Sequence, residues 1–182
     1  MNHTAFQPVA QRLQHASPRR PPDAGAPATA SEMTTAIHVL NWVLAMTRVM
    51  ALRCKREYHT ALRLHSPSLA AAALEHANDV GAHAHRIRER IRELGGEVDQ
   101  PADVSLPSQR VDLHGGNPLA AAIADDFSSA RAALDDYREI AAFLAPFDPP
   151  TFRMLEQIIQ GENERADDLA HLLAEASARP KH

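Results

Sequence analysis

The stretch 74–98, LEHANDVGAHAHRIRERIRELGGEV, decides the fold. With Leu69 and Ala73 just before it, His76, Val80, His83, Ile87, Ile91 and Leu94 recur at steps of three and four, which places them on one face of a helix. The ends of that helix are readable. Ser66 can cap it with Pro67 in the first turn, and Gly95-Gly96 can supply a left-handed residue at its C-terminus. A stripe of that length has to be buried, so the two histidines on it need partners or a role. Val80, three residues before His83, stands where a Glu-x-x-His metal-binding helix would carry its carboxylate.

Proline marks the other boundaries, because it breaks helix interiors and suits first turns. Pro67, Pro101, Pro107, Pro118, Pro146, Pro149, Pro150 and Pro180 leave four uninterrupted segments. These run from about 32 to 64 with Ser31 or Thr34 as cap, from 66 to 95, from Asn117-Pro118 to Ala145-Pro146, and from Asp148-Pro149 to about 177. Each is about 28 to 33 residues, or roughly 42 to 50 Å of helix, and matched lengths predict one bundle. The first and second helices, and the third and fourth, are joined so closely that each pair must be an antiparallel hairpin. Between the hairpins lies EVDQPADVSLPSQRVDLHGG, which when extended spans roughly 65 Å. A crossover of that reach predicts parallel second and third helices.

Composition agrees with this reading. The chain has 182 residues, 45% hydrophobic and 23% charged, the size and balance of one soluble domain with a good core. A net charge of -4 argues against general affinity for nucleic acid or anionic membrane. The single cysteine, Cys54, excludes an internal disulfide, and no apolar run approaches the roughly 20 residues of a membrane span, so no membrane partner is expected. The N-terminus lacks the apolar core of a secretory signal, so a cytoplasmic location is expected. Residues 1–30 hold Pro8, Pro18, Pro21, Pro22 and Pro27 with little periodicity, and read as a disordered Pro-rich tail before a bundle at 31–178. In that tail Arg12, Arg19 and Arg20 face only Asp23; DNA phosphate contact is the sharper reading and a solvated end the plainer one.

Counting from the hairpin turns near 66 and 147, Thr47, Val80, His83, Ala130, Glu162 and Arg165 fall about 14 to 19 residues away, at one level of the bundle. All six continue inward stripes. These are Ile37, Leu40, Leu44, Thr47, Ala51, Cys54 and Tyr58 on the first helix, Ile123, Phe127, Ala130, Leu134 and Tyr137 on the third, and Leu155, Ile158, Glu162, Arg165, Leu169 and Leu172 on the fourth. At such a level a di-iron centre takes one Glu from each of two helices and a Glu-x-x-His pair from each of the other two. Carboxylates suit hard ferric iron and bridge two cations, while imidazoles leave positions open for oxygen.

LEHANDVGAHAHRIRERIRELGGEVD resembles the second-helix segment of bacterioferritin-like and DNA-protecting mini-ferritin (Dps)-like proteins. DDYREIAAFL and DPPTFRMLEQIIQGENERADDLAHLL resemble their third and fourth helices, and the similarity covers about residues 34–175. The resemblance implies an all-α, ferritin-like four-helix bundle that assembles into a hollow cage, oxidises Fe(II) and stores ferric mineral. Carried over residue by residue, the ferroxidase motif is mostly gone. Thr47 stands for the first-helix Glu and Ala130 for the third-helix Glu; Val80-Gly81-Ala82-His83 and Glu162-Asn163-Glu164-Arg165 replace the Glu-x-x-His pairs. Only His83 and Glu162 keep the metal-ligand pattern, so iron is expected only at a weak, altered site and the chain is expected to be inactive alone. Arg165, three residues after Glu162 on the same face, is expected to pair with it.

Several alternatives stay open beside this. The plain reading is a bundle core with a Glu-Arg pair and one histidine. A repurposed metal site would use His76, His83 and Glu162 with Asp126 or Cys54, although His76 and His83 are two turns apart; the third reading is an intact di-iron centre. Cys54 reads as a small buried apolar group with no base identifiable near it. Met46 and Met50 suggest a haem ligand, but Gly81 occupies the family's haem position on the second helix, so haem is not expected. Gly81 and Gly161 read as relics of close packing, and Trp42 as part of a subunit interface. Asp125, Asp126, Asp135, Asp136, Asp167 and Asp168 could form a mineral-nucleating surface. The two function classes are therefore an iron-binding or iron-storage subunit, in a homo-oligomer or a mixed cage with a homologous subunit, and a structural or interaction subunit without iron chemistry.

Overall fold

Four long helices carry the structure, α1 (Ala30–Arg63), α2 (Pro67–Glu93), α3 (Pro118–Leu144) and α4 (Pro149–Ala178). The computed structural model describes Val9, Leu13 and residues 28–99 and 117–178, and all regular structure among them is helical.

The helix ends follow side-chain chemistry. Thr29, rather than Ser31 or Thr34, caps α1: its hydroxyl accepts from the Glu32 amide while the Glu32 carboxylate reaches back to the Thr29 amide at 2.7 Å, so two free donors are satisfied at once. Ser66 caps α2 with proline in its first turn, and just past the C-cap Leu94 comes Gly95, whose φ of 76° is the left-handed turn expected there. Gly96 meets a different constraint. A Cβ there would stand 2.7 Å from the Ile37 side chain. Asn41 then brackets the departing chain, donating to the Glu97 carbonyl and accepting from the Asp99 amide, both at 2.9 Å. Asn117 caps α3 and also donates to the Ala176 carbonyl at 2.7 Å, tying the start of α3 to the end of α4.

Helix directions can be read from cross-links. Arg90, near the end of α2, bonds Asp148 and Thr151 at the start of α4, each at 2.8 Å; Arg86 meets Gln157 at 3.2 Å, and His83 and His76 both meet Glu162. So α2 and α4 are antiparallel. Since α3 and α4 form a hairpin, α2 and α3 run parallel, as the length of the connection predicted; residues 100–116 of that connection lie outside the described residues. Packing is closest within the hairpins, α1 on α2 and α3 on α4, and sparser between them.

Two apolar clusters fill the bundle. One includes Leu40, Leu44, Ile87, Ile91, Ile140, Leu144, Leu155 and Ile158; the other, richer in alanine, includes Ala61, Leu69, Ala70, Ile123, Ala130 and Leu169. Of the stripe residues, Ala51 faces solvent, because the buried arc of α1 passes from Thr47 through Met50 to Cys54. Trp42 is half-buried against the first cluster. Val9 and Leu13 also belong to that cluster, at 4% and 6% exposure. At these two helical positions the expected solvated tail is packed instead, since residues four apart share one helix face. The rest of the tail, with its basic residues, lies outside the described residues. By length and composition α1 passes for a membrane span, contrary to the sequence reading, a test that a bundle's core helix also meets.

Candidate functional site

Between the two apolar clusters the interior turns polar. Cys54 and Glu57 come from α1, His76 and His83 from α2, Asp126 from α3, and Glu162 and Arg165 from α4. Cys54 and His76 stand equally far from His65 in the α1–α2 turn, so the hairpin brings them face to face: Sγ lies 3.2 Å from Nδ1. Nε2 of the same ring lies 3.3 Å from Oε1 of Glu162. His83, two turns along α2, reaches the same oxygen with Nδ1 at 3.6 Å. Two turns apart, the rings meet the same oxygen because Glu162 enters from α4 between them.

Arg165 does not pair with Glu162. Its Nη2 donates instead to Asp126 at 2.7 Å and to Glu57 at 3.2 Å, because three residues along α4 turn the guanidinium toward α1 and α3 while Glu162 faces α2. Burial, then the Asp126 carboxyl near it, pushes the Glu57 carboxyl up to about 8, opposed by Arg165 and Arg56. Burial likewise holds His83 below its ordinary value, opposed by Glu162. Burial, then Glu57, pushes the Cys54 thiol up to about 12. Nδ1 of His83, Oε2 of Glu162 and Nε of Arg165 are buried with no hydrogen-bond partner in the protein. Glu162 is 1% exposed.

Several sequence-assigned positions lie elsewhere. Thr47 is buried, but its hydroxyl donates to the Leu44 carbonyl of its own helix. Val80 and Ala130 are buried and apolar. The carboxyl groups on α1 and α3 come from Glu57 and Asp126, the latter one turn before Ala130. Glu57 escaped sequence reading because it follows a buried cysteine three residues away on a helix whose stripe was counted through Ala51; its only signal was its i+3 spacing from Cys54. Cys54, read as lacking a base, has His76 against it. Asp126 points inward, away from the exposed Asp125, Asp135, Asp167 and Asp168 with which it was grouped. Met50 accepts a hydrogen bond from buried Tyr137 at 3.6 Å, which makes it a core residue. Gly81 and Gly161 face open space, so close packing does not account for them.

Two cavities open onto the cluster from opposite sides. One, about 340 Å³, lies between α1 and α3 and reaches Glu57, His76, Asp126 and Arg165. The other, about 290 Å³, lies between α2 and α4 and reaches His76, His83 and Glu162.

Among solved structures, the fold is similar to that of the bacterioferritin of Desulfovibrio desulfuricans, whose diiron site is known in different catalytic states. The likeness has a TM-score of 0.65 at 22% identity, covering 83% of this chain and 91% of that one. No curated protein matches the sequence significantly. The family model of the ferritin-like domain matches residues 40–178, and the chain belongs to that family.

Proposed function

We propose that this chain is a bacterioferritin-like or Dps-like cage subunit that binds or stores iron as cargo, with its own di-iron ferroxidase centre largely lost. The observation that carries the reading is the position of Arg165, 2.7 Å from Asp126 and 3.2 Å from Glu57. A di-iron pair needs carboxylates free to bridge two cations. Here two of the three clustered carboxyl groups are bound by a guanidinium, a permanent cation that cannot give up its proton. What remains, one carboxylate with two imidazoles and a thiol, does not fit two irons. Val80 and Ala130 add no donor.

Iron would then reach the protein as substrate for storage, oxidised elsewhere or by a homologous partner subunit, with exposed acids such as Asp167 and Asp168 lining its path. The test is anaerobic addition of Fe(II) to the metal-free chain, followed by air. Oxidation at the rate of buffer alone, with a large assembly by sedimentation and iron retained in it, is the expected result. Oxidation well above buffer, abolished in Glu162→Ala and His83→Ala, would show a rearranged working centre and overturn the reading. A large assembly that retains no iron would favour the structural alternative.

A further inference from the structure

His76 joins two groups that the iron reading leaves unused. As a carboxylate, Glu162 can only accept, so the proton of a neutral His76 ring belongs on Nε2, 3.3 Å away, and the lone pair falls on Nδ1. That lone pair faces the sulfur of Cys54 at 3.2 Å. A carboxylate oxygen of Glu57 completes the group: these three ligand atoms lie within 4.8 Å of one another. Sulfur, imidazole nitrogen and carboxylate oxygen around one point are the donor types of zinc-class ions.

The surroundings support the same assignment. A histidine that ligates a metal commonly donates its other ring N–H to a carboxylate, which fixes the tautomer and turns the lone pair toward the ion. Glu162 does this for His76, from a position 1% exposed, and its second oxygen has no hydrogen-bond partner. Arg165 donates to Oε2 of Glu57 at 3.2 Å, which bars the carboxylate from bridging two ions but leaves its other oxygen for one. Distances agree too. A tetrahedral ion with metal–sulfur and metal–nitrogen bonds of about 2.3 and 2.0 Å separates the two donors by about 3.5 Å, so Cys54 and His76 need part by only a few tenths of an ångström. The cavity between α1 and α3 reaches Glu57 and His76 and offers a route in, with room for water as a fourth ligand.

A thiol–imidazole–carboxylate row could also describe a nucleophile. Burial at 1% exposure and the Glu57 carboxyl beside the sulfur both oppose a free thiolate, whereas a divalent ion would offset both charges.

We propose that Cys54, Glu57 and His76 hold one zinc-class divalent ion, with Glu162 positioning His76 and the fourth coordination place open to the cavity. This rests on the reading that no di-iron pair forms here. The test is titration of the full-length, metal-free chain with Co(II) and then Zn(II), following absorption and metal per chain. One Co(II) per chain is expected, with tetrahedral visible bands and a thiolate charge-transfer band in the near ultraviolet, all displaced by Zn(II). Cys54→Ser, a near-isosteric change checked for folding by circular dichroism, should lose the charge-transfer band. Glu162→Gln should keep the band and bind about 10- to 100-fold more weakly. No bound metal, or a spectrum unchanged in Cys54→Ser, would overturn the proposal while leaving the loss of the di-iron centre standing. Two metals per chain with rapid Fe(II) oxidation would overturn both.

Discussion

Replacing Arg165 with methionine keeps most of the unbranched apolar stem and removes the guanidinium and its charge. The guanidinium is 10% exposed and lies 2.7 Å from Asp126 and 3.2 Å from Glu57, whose side chains are 7% and 14% exposed. Each hydrogen bond to a charged group contributes about 1.5 to 3 kcal/mol, and breaking a buried pair by removing one partner costs about 3 to 5 kcal/mol. Protonation softens the loss. Glu57, already pushed up to about 8, carries its proton near neutrality, so the variant should lie at the low end, about 3 kcal/mol below the parent. For a chain of this size that is a fall of roughly 6 to 12 °C in Tm. Without Arg165, whose charge opposes the rise, the Glu57 carboxyl moves up further. The penalty is therefore smallest toward about pH 5, where Glu57 holds its proton with or without the arginine, and grows toward about pH 9, beyond the value of about 8 at which Glu57 ionises in the parent. Thermal and urea unfolding of metal-free protein at the three pH values measures this. A Tm unchanged near neutrality, or a penalty that does not vary with pH, would refute the assignment of Arg165 as the counter-ion of both acids.

Two further expectations use the same unfolding assays. Glu57 faces Asp126, Arg165 and Arg56, and its folded pKa of about 8 stands above the ordinary value of 4.5; the stability it contributes is full below 4.5 and is lost as pH rises through about 8. Glu57→Gln, neutral at every pH, should flatten that alkaline slope in the metal-free protein, and an unchanged slope would count against the raised Glu57 carboxyl. The glycines should divide sharply: Gly81→Ala and Gly161→Ala, each with open space at the Cβ position, should stabilise by about 0.5 to 1 kcal/mol. Gly96→Ala, whose Cβ would meet Ile37 at 2.7 Å, should destabilise measurably; equal effects at all three would contradict the packing described.

The fold was legible because it is written locally. The step pattern from Leu69 to Leu94, the prolines at Pro67, Pro118 and Pro149, and the glycine stop at Gly95 each fix an element with little help from the rest of the chain. The site was only half legible. Its level and its α2 and α4 members His83 and Glu162 follow from periodicity, but equal counting from the turns fixes height along a helix and not rotation about it. Thr47 sits near the height of His83, yet its hydroxyl closes on its own helix, while Cys54 and Glu57 turn toward His76 and Arg165. The choice of partner for Arg165 was not local either. Glu162 is three residues away in sequence, but the histidines of α2 draw it to one side and the acids of α1 and α3 draw the guanidinium to the other.

That division gives the cluster two unlike halves. On the side of α1 and α3, Asp126 and Glu57 meet a cation that cannot leave. Opposite them, Cys54, His76, His83 and Glu162 bring groups that are neutral when protonated or able to share protons, and none of them is committed to a permanent charge. A symmetric two-metal site would need matching donors on both sides; here Asp126 stays with the arginine, while Glu57 lies between the guanidinium and the Cys54–His76 pair, where its carboxylate can serve a single ion. The bundle tolerates such asymmetry because its cohesion lies elsewhere. Leu40, Ile87 and Leu155 on one side of the cluster, and Ala61, Leu69 and Leu169 on the other, belong to clusters that do not depend on whether the polar layer holds metal, protons or guanidinium. A family match can therefore run through residues 40–178 whatever this polar layer holds.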